Sequence, residues 1–141
     1  PLAPPAFVLP VALPLAPTPG AHAALRLLRA EPERVTKLRA NSQYFMRKAT
    51  EAGLNTGTAI GEAVVPILFE TPDDCVFVAE ALMQKGIYAP PVVHVGIPKD
   101  MPRIRFFISA AHPEADIDRV ITAVAAAHTT ATATPLRPGA E

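Results

Sequence analysis

Two arginines, Arg103 and Arg105, stand two positions apart in an apolar run of strand-forming residues, PRIRFFIS. Side chains at positions i and i+2 of a β-strand point to the same face, so a strand here places both guanidinium groups side by side. A guanidinium group offers a planar fork of N–H donors that matches a carboxylate, and the pair therefore indicates a carboxylate-binding site. The alternative is that both arginines are surface residues of an edge strand, where charged side chains are ordinary.

A helix is predicted to begin directly behind this strand, at the segment His112-Pro113-Glu114, because proline is favoured in the first turn of a helix. His112 is predicted to cap it. The apolar residues that follow recur at helical spacing, which predicts a helix to about Ala127. The arginine strand and this helix together would form the elements that position the binding site.

The rest of the sequence contains no motif with a recognised catalytic mechanism. Signatures of nucleotide-binding loops, serine-hydrolase elbows and zinc proteases are absent from it. The four histidines have no metal-ligand spacing. Cys75 falls on the apolar face of a predicted helix, where a buried thiol is expected rather than a nucleophile. We therefore predict no catalytic residue and no metal site from residue spacing, which is not the pattern of a complete enzyme.

Composition is that of an ordinary folded domain. The 141 residues are 50% hydrophobic and 18% charged, and their formal net charge is zero. Because the sequence has no basic stripe or tail, nucleic acid is not expected as a partner. A single cysteine cannot form an internal disulfide, which favours a reducing, cytoplasmic location.

Proline is concentrated at the start of the chain. Seven of the 17 prolines fall within the first nineteen residues, and the chain begins with Pro1 rather than Met, which indicates a fragment or a processed product. Proline imposes an extended, polyproline-like backbone, so residues 1–17 are predicted to form a Pro-rich connector. Its apolar segment Phe7–Leu13 is expected to lie against the rest of a larger protein or a second subunit.

The remaining pattern predicts alternating helices and strands. Helices are expected at 18–30, 32–52, 72–85 and 113–127, and strands at 64–69, 87–89 and 103–109, with a further extended stretch at 92–95. Pro66 places the first strand at a sheet edge or a bulge, because proline cannot donate to the ladder.

This order of elements predicts an α+β fold. We expect a two-layer small domain with a mostly antiparallel sheet and helices on one face, preceded by an extended Pro-rich segment and a helix. The small domain is assigned to residues 18–128. Residues 129–141 carry no apolar stripe and are predicted to form a disordered tail.

Six blocks of the sequence match one enzyme family in order. They are AALRLL at 23–28, EPERVTKLRANSQYF at 31–45, GLNTG at 53–57, VVPILF at 64–69, KGIYA at 85–89 and RIRFFISAAHPEADIDRV at 103–120. These blocks resemble the C-terminal part of the α-oxoamine synthases, which are pyridoxal-phosphate (PLP) enzymes of aminotransferase class I/II and fold type I. The family includes aminolevulinate synthase, 8-amino-7-oxononanoate synthase, 2-amino-3-ketobutyrate CoA ligase and serine palmitoyltransferase.

The resemblance implies a function for the whole family enzyme. It is a PLP-dependent acyl-CoA:amino acid C-acyltransferase that works as a cytoplasmic homodimer in a biosynthetic process. By position, Arg105 is implied to bind the carboxylate of the amino acid, and Arg103, Ser109 and His112 are implied to have supporting roles. The lysine that holds PLP belongs to a preceding large domain in the family. This chain alone is therefore expected to bind no PLP covalently and to be inactive.

Two interpretations follow. In the first, the chain is the small domain of such an acyltransferase, with the catalytic large domain or a second subunit as its partner and an amino acid and an acyl-CoA as substrates. In the second, it is a non-catalytic α+β dimerisation or binding module derived from such an enzyme. The apolar segment Phe7–Leu13 motivates the second, since an apolar surface of this kind requires a partner.

Overall fold

The computed structural model describes residues 17–94 and 101–133. The helices are α1 (Pro17–Ala30), α2 (Glu33–Glu51), α3 (Pro72–Gln84) and α4 (Glu114–Ala133), and the strands are β1 (Val64–Leu68), β2 (Pro91–Val92) and β3 (Arg103–Phe107). The predicted connector lies outside the described residues, apart from Pro17, which begins α1.

The chain divides into two compact units, residues 1–35 and 36–141. In the first unit, α1 ends where the Glu31 N–H donates to the Leu27 carbonyl at 2.8 Å. Arg34 Nε lies 2.6 Å from Glu31 Oε2, which connects the start of α2 to the residue that follows α1. Leu25 and Leu28 are about half exposed on α1, at 48% and 50%. Helix α1 therefore presents a partly uncovered apolar stripe.

The second unit is built on a three-stranded antiparallel sheet in the order β1-β3-β2. Along the β1–β3 pair, Val65 lies opposite Phe106 and Ile67 lies opposite Ile104, and all four side chains are buried. Neighbouring residues of a strand point to opposite faces, so the alternate residues of β3 lie on the other side of the sheet. The sequence correctly predicts the α+β class and the antiparallel sheet.

Helices α2, α3 and α4 complete the core on the inner face of the sheet. Phe45 of α2 packs against Phe106 of β3, with ring centroids 5.2 Å apart. The buried side chains of these helices recur at the helical spacing expected from the sequence; they include Ala49, Cys75, Val78, Leu82, Ile117, Ile121 and Val124. Packing of this kind, rather than intrinsic helix propensity, supplies most of a helix's stability.

The start of α3 follows the predicted chemistry. The Thr71 hydroxyl oxygen accepts from the Asp74 N–H at 3.1 Å, and Pro72 occupies the first turn. The hydroxyl also donates to Asp74 Oδ2 at 2.8 Å. Threonine thereby satisfies one of the backbone donors that a helix start leaves unpaired. The helix ends before Gly86, whose φ of +72° is the left-handed conformation that favours glycine.

Strand β1 lies at a sheet edge, as Pro66 predicts. The Phe69 N–H donates to the Pro102 carbonyl at 2.9 Å, whereas the Leu68 N–H points the other way and donates to Asn55 at 2.8 Å. Alternate N–H groups of a strand face opposite sides, so the nitrogen of Pro66 faces the open edge together with that of Leu68. The missing proline donor therefore breaks no bond of the β1–β3 ladder.

The strand predicted at 87–89 is wrong. The Ile87 N–H donates to the Leu82 carbonyl at 2.9 Å, so this residue is bound to the end of α3 rather than to a neighbouring strand. The strand that pairs with β3 comes slightly later and is short, with Pro91 opposite Ile104 and Val92 opposite Arg103.

Helix α4 extends beyond its predicted end at Ala127, so residues 129–133 are helical where a disordered tail was predicted. The hydroxyls of Thr129 and Thr130 donate to carbonyls four residues earlier, at 2.9 and 3.0 Å. Ala127 and Ala131 are buried and continue the apolar stripe with small side chains, which the sequence pattern understates. Neither α4 nor any other helix of the described residues is long and apolar enough to cross a membrane.

Cys75 is fully buried in the first turn of α3, as the sequence predicts. Burial raises the pKa of its thiol from 9.0 to about 11, and the nearby Asp74 carboxylate acts in the same direction. Both effects disfavour the thiolate, which is the reactive form. The geometry therefore supports a packing role for Cys75.

We expect Ile67→Ala to lower the free energy of unfolding by about 2–5 kcal/mol, because it removes a fully buried side chain and leaves a cavity. Ile67 is 1% exposed, whereas Ile60, in the loop before β1, is 77% exposed. Ile60→Ala deletes the same atoms and should change the free energy by less than about 0.5 kcal/mol. Urea denaturation of both variants measures these free energies of unfolding. Equal losses in the two variants would contradict the assignment of Ile67 to the core.

At pH 8 the native Cys75 thiol should react with iodoacetamide at least about 100-fold more slowly than in the urea-unfolded chain. The raised pKa of about 11 reduces the thiolate fraction by that factor, and burial restricts access further. The matched control carries Cys75→Ser and Val76→Cys, since Val76 is the neighbouring residue and is 37% exposed. Rapid native alkylation at position 75 would show that the thiol is accessible.

Candidate functional site

A pocket of about 390 Å³ opens beside the C-terminal half of β3. Its walls come from α2, from the segment between α3 and β2, from β3 with the residues after it, and from the first turns of α4. Most of the lining is apolar, including Phe45, Ile87, Ala89, Phe106, Phe107, Ile108, Ile117 and Val120. An enclosed apolar wall with a few polar groups is the usual form of a small-molecule site.

Arg105 lines this pocket from the middle of the central strand. It is half-buried and lies opposite Pro66 of β1. No carboxylate or other hydrogen-bond partner reaches its guanidinium group among residues 17–94 and 101–133. A partly buried cation without an ion pair is electrostatically costly, and an anion bound in the pocket would relieve that cost.

Arg103 shares the strand face of Arg105 but has a different environment. Its Nε donates to the Met101 carbonyl at 3.1 Å, so the side chain is bound to the loop that precedes its own strand. Arg103 does not line the pocket. Both arginines lie on the strand that is paired on both sides, which excludes the edge-strand alternative. The sequence places the two guanidinium groups side by side, but the structure gives only Arg105 access to the pocket.

The turn between β3 and α4 brings Ser109 and His112 together. The Ser109 N–H donates to His112 Nδ1 at 3.2 Å, and the Ser109 hydroxyl oxygen accepts from the Ala111 N–H at 3.2 Å. His112 also lines the pocket. The imidazole therefore bonds back to the end of the strand rather than forward to the helix N–H groups. The prediction that His112 caps α4 is wrong, because its Nδ1 accepts from the Ser109 N–H, while the N–H groups of Asp116 and Ile117 donate to the Pro113 carbonyl.

Asn41 is a buried residue at this turn that the sequence analysis did not identify as part of the site. Its Nδ2 donates to the carbonyl of Ser109 at 2.9 Å and to that of His112 at 2.8 Å. Asn41 is 1% exposed, and its Oδ1 has no partner among the described residues. The sequence feature that could have identified Asn41 is the polar pair Asn41 and Ser42 within the apolar stripe of α2.

The charged groups at the pocket favour an anion. Arg105 and Arg119 line it with a single carboxylate, Asp116, and with His112. No lysine contributes to this lining. Within the described part of the chain there is also no cluster of three metal-ligating side chains. The arrangement can bind an anionic group next to apolar atoms, but the described residues do not supply a covalent anchor for a cofactor.

Comparison with known proteins gives a consistent result. The family model described as aminotransferase class I and II matches residues 7–124. A putative 8-amino-7-oxononanoate synthase of Geobacillus kaustophilus is 33% identical over 121 residues, covering 86% of this chain and 31% of that protein. The 8-amino-7-oxononanoate synthase of Symbiobacterium thermophilum is 28% identical over 102 residues, covering 72% of this chain and 26% of that protein.

Solved structures show the same fold. The 8-amino-7-oxononanoate synthase of Francisella tularensis superimposes with a TM-score of 0.76 at 13% identity, covering 91% of this chain and 37% of that one. A serine palmitoyltransferase from S. paucimobilis, in a structure with bound PLP and myriocin, gives a TM-score of 0.73 at 23% identity, covering 81% and 29%. The chain thus spans about a quarter to a third of the curated relatives it matches.

Proposed function

Because this chain belongs to the class I and II aminotransferase family, and within it to the α-oxoamine synthases, we propose that it is the C-terminal small domain of a PLP-dependent acyl-CoA:amino acid C-acyltransferase. In this proposal the chain binds the amino acid substrate, and the residues that carry the covalent chemistry lie elsewhere in a longer polypeptide. The short coverage of each relative supports this division of roles.

The observation that carries the proposal is the guanidinium group of Arg105. It is half-buried at an apolar pocket without an ion-pair partner among the described residues. An amino acid carboxylate fits it, because two parallel N–H···O bonds hold a carboxylate in a defined orientation. The apolar side chains beside Arg105 lower the local dielectric constant, which strengthens that interaction. Substrate binding would then begin with the carboxylate held on the rigid central strand.

PLP does not fit the described residues as a covalently bound group. Lys37, Lys48 and Lys85 lie on or directly after helices, and none of them lines the pocket with Arg105. Lys48 instead lies 3.4 Å from Glu51 on its own helix. The proposal therefore assigns PLP binding to the remainder of the longer polypeptide. In it, His112 has its supporting role at the substrate pocket, Ser109 supports the His112 ring from the adjoining turn, and Arg103 supports the strand outside the pocket.

The proposal also includes a homodimer in the cytoplasm. Surface apolar groups support a partner: Phe107 is 68% exposed and Tyr88 is 77% exposed, and both lie at the rim of the pocket. Exposed aromatic side chains grouped in this way are typical of surfaces that another protein covers.

A second candidate function is a non-catalytic dimerisation or binding module. The exposed aromatic residues Phe107 and Tyr88 favour it equally, as do the half-exposed leucines of α1. This candidate requires no catalytic domain, so the two functions predict different lengths for the natural polypeptide. An antibody raised against residues 36–133 separates them on an immunoblot of native cells. A species about three times larger than 14.9 kDa supports the acyltransferase, and one of about this size supports the module.

In the longer polypeptide, Arg105→Lys should raise the dissociation constant of the amino acid about 10- to 100-fold, because lysine cannot reproduce the two-bond geometry with a carboxylate. Calorimetric titration measures this constant, and release of free coenzyme A thiol measures acyl transfer. Arg103→Lys is the matched control, since it makes the same change on the same strand face outside the pocket, and its effect should stay below about threefold. Equal effects of the two substitutions would reject Arg105 as the carboxylate-binding residue.

A further inference from the structure

The carbonyls of Ser109 and His112 converge on one buried side chain. Asn41 Nδ2 donates to both, at 2.9 and 2.8 Å, across 68 and 71 residues of sequence. These two contacts fix the orientation of the amide, because a flipped amide would set Oδ1 against two carbonyl oxygens. An apolar residue at this position would suit the stripe of α2 but would leave both carbonyls without this donor.

The same turn determines which nitrogen of His112 carries the proton. The Ser109 N–H points at Nδ1, which must therefore present a lone pair. In the neutral ring the proton is then on Nε2. Nε2 has no hydrogen-bond partner among the described residues, and His112 lines the pocket that contains Arg105. The ring consequently offers one N–H donor for a ligand in that pocket.

We propose that Asn41 is the positioning residue of this pocket: by holding the carbonyls of Ser109 and His112, it keeps the turn in the form that directs the Nε2–H donor of His112 to a bound ligand. The inference rests on the proposed function for the nature of that ligand, an amino acid whose carboxylate is on Arg105. It adds a second residue of α2, beside Phe45, to the residues that determine the pocket.

The packing explains why a side chain on α2 has this effect. Asn41 lies one turn before Phe45, whose ring contacts Phe106 of β3 at 5.2 Å between centroids. Helix α2 is thereby fixed against the strand that carries Arg105. The Asn41 amide extends this contact to the turn that follows the strand. One face of α2 thus contacts both β3, which carries Arg105, and the turn that carries His112.

Oδ1 of Asn41 has no partner among residues 17–94 and 101–133, which supports a positioning role over a purely packing role. Burying an amide oxygen without a donor is unfavourable, and an apolar residue of similar size would avoid this. Packing alone would favour an apolar residue at this position. The Asn41 amide instead fixes the geometry of the turn.

The test uses imidazole ¹⁵N NMR on the 141-residue chain, because the ring nitrogen shifts report the tautomer directly. We expect His112 to be almost exclusively the Nε2–H form, and the exposed His22 of α1 serves as the internal reference. Asn41→Ala should convert His112 to a mixture like that of His22. It should also speed hydrogen exchange of the Ser109 amide about tenfold, because the turn opens more often.

Gln43→Ala is the matched control. Gln43 is on the same helix, and its amide also donates to two loop carbonyls, those of Ile60 at 3.0 Å and Gly61 at 3.4 Å. Its loss should leave the His112 tautomer and the Ser109 exchange rate unchanged. An unchanged His112 tautomer in Asn41→Ala, or equal effects in both variants, would overturn the proposal.

Two further measurements keep the inference separate from folding and from the proposed function. If Asn41→Ala does not fold, the unmodified chain is used instead. A scalar coupling through the hydrogen bond between the Ser109 nitrogen and His112 Nδ1 would support the inference, and a predominant Nδ1–H form of His112 would reject it. In the longer polypeptide, Asn41→Ala and His112→Gln should weaken amino acid binding by a similar factor. If Asn41→Ala loses the His112 tautomer preference but binds the amino acid as before, Asn41 positions the ring, and the proposal that the ring acts on the substrate is rejected.

Discussion

The alternation of side chains along β3 is the constraint on which the second unit depends. Ile104 and Phe106 point into the core, while Arg103 and Arg105 lie on the opposite face, and pairing with β1 fixes this register. A shift of one residue would place two guanidinium groups among apolar side chains and expose two core residues. The large penalty for burying unpaired charge therefore selects one register. The same alternation that builds the core delivers Arg105 to the pocket.

Local chemistry explains why much of this fold is predictable from the sequence. Thr71 and Pro72 begin a helix through a cap and a fixed φ, and neither effect depends on distant residues. Pro66 likewise identifies an edge strand, because a missing donor is tolerated where no partner strand needs it. The apolar stripes of α2, α3 and α4 predict their buried faces for the same reason, since helical spacing alone groups those residues.

Predictions failed where the outcome depends on contacts distant in sequence. Residues 87–89 have strand-like composition, but the Ile87 N–H donates to the Leu82 carbonyl of α3 and is therefore not available to a neighbouring strand. The threonines after His128 have weak helix propensity, and their hydroxyl bonds to the preceding turn do not improve it, so the burial of Ala131 accounts for the extra turn. Asn41 could not be assigned to the pocket because its partners are about seventy residues away. The two arginines were recognisable, but their different environments require the fold.

The proposed function divides the roles between this chain and the rest of a longer polypeptide. The chain contributes a cation, an imidazole and an apolar wall, all on rigid elements that meet at the end of β3. Groups that bind and orient a substrate gain most from such a scaffold, because small displacements weaken directed hydrogen bonds. In the proposed function, reactive groups of a longer polypeptide would act on a substrate that Arg105 already holds. In the proposed function, the site orients the substrate.

The position of Pro66 has a consequence for how copies of this chain behave at high concentration. On the open side of β1, Leu68 already donates to Asn55 and Pro66 has no N–H to offer, so a strand from another molecule finds little to pair with. The opposite edge, β2, is only two residues long and begins with Pro91. Exposed strand edges are the usual starting points of intermolecular sheet growth, and short or proline-containing edges resist it. The small sheet is therefore protected at both sides against aggregation.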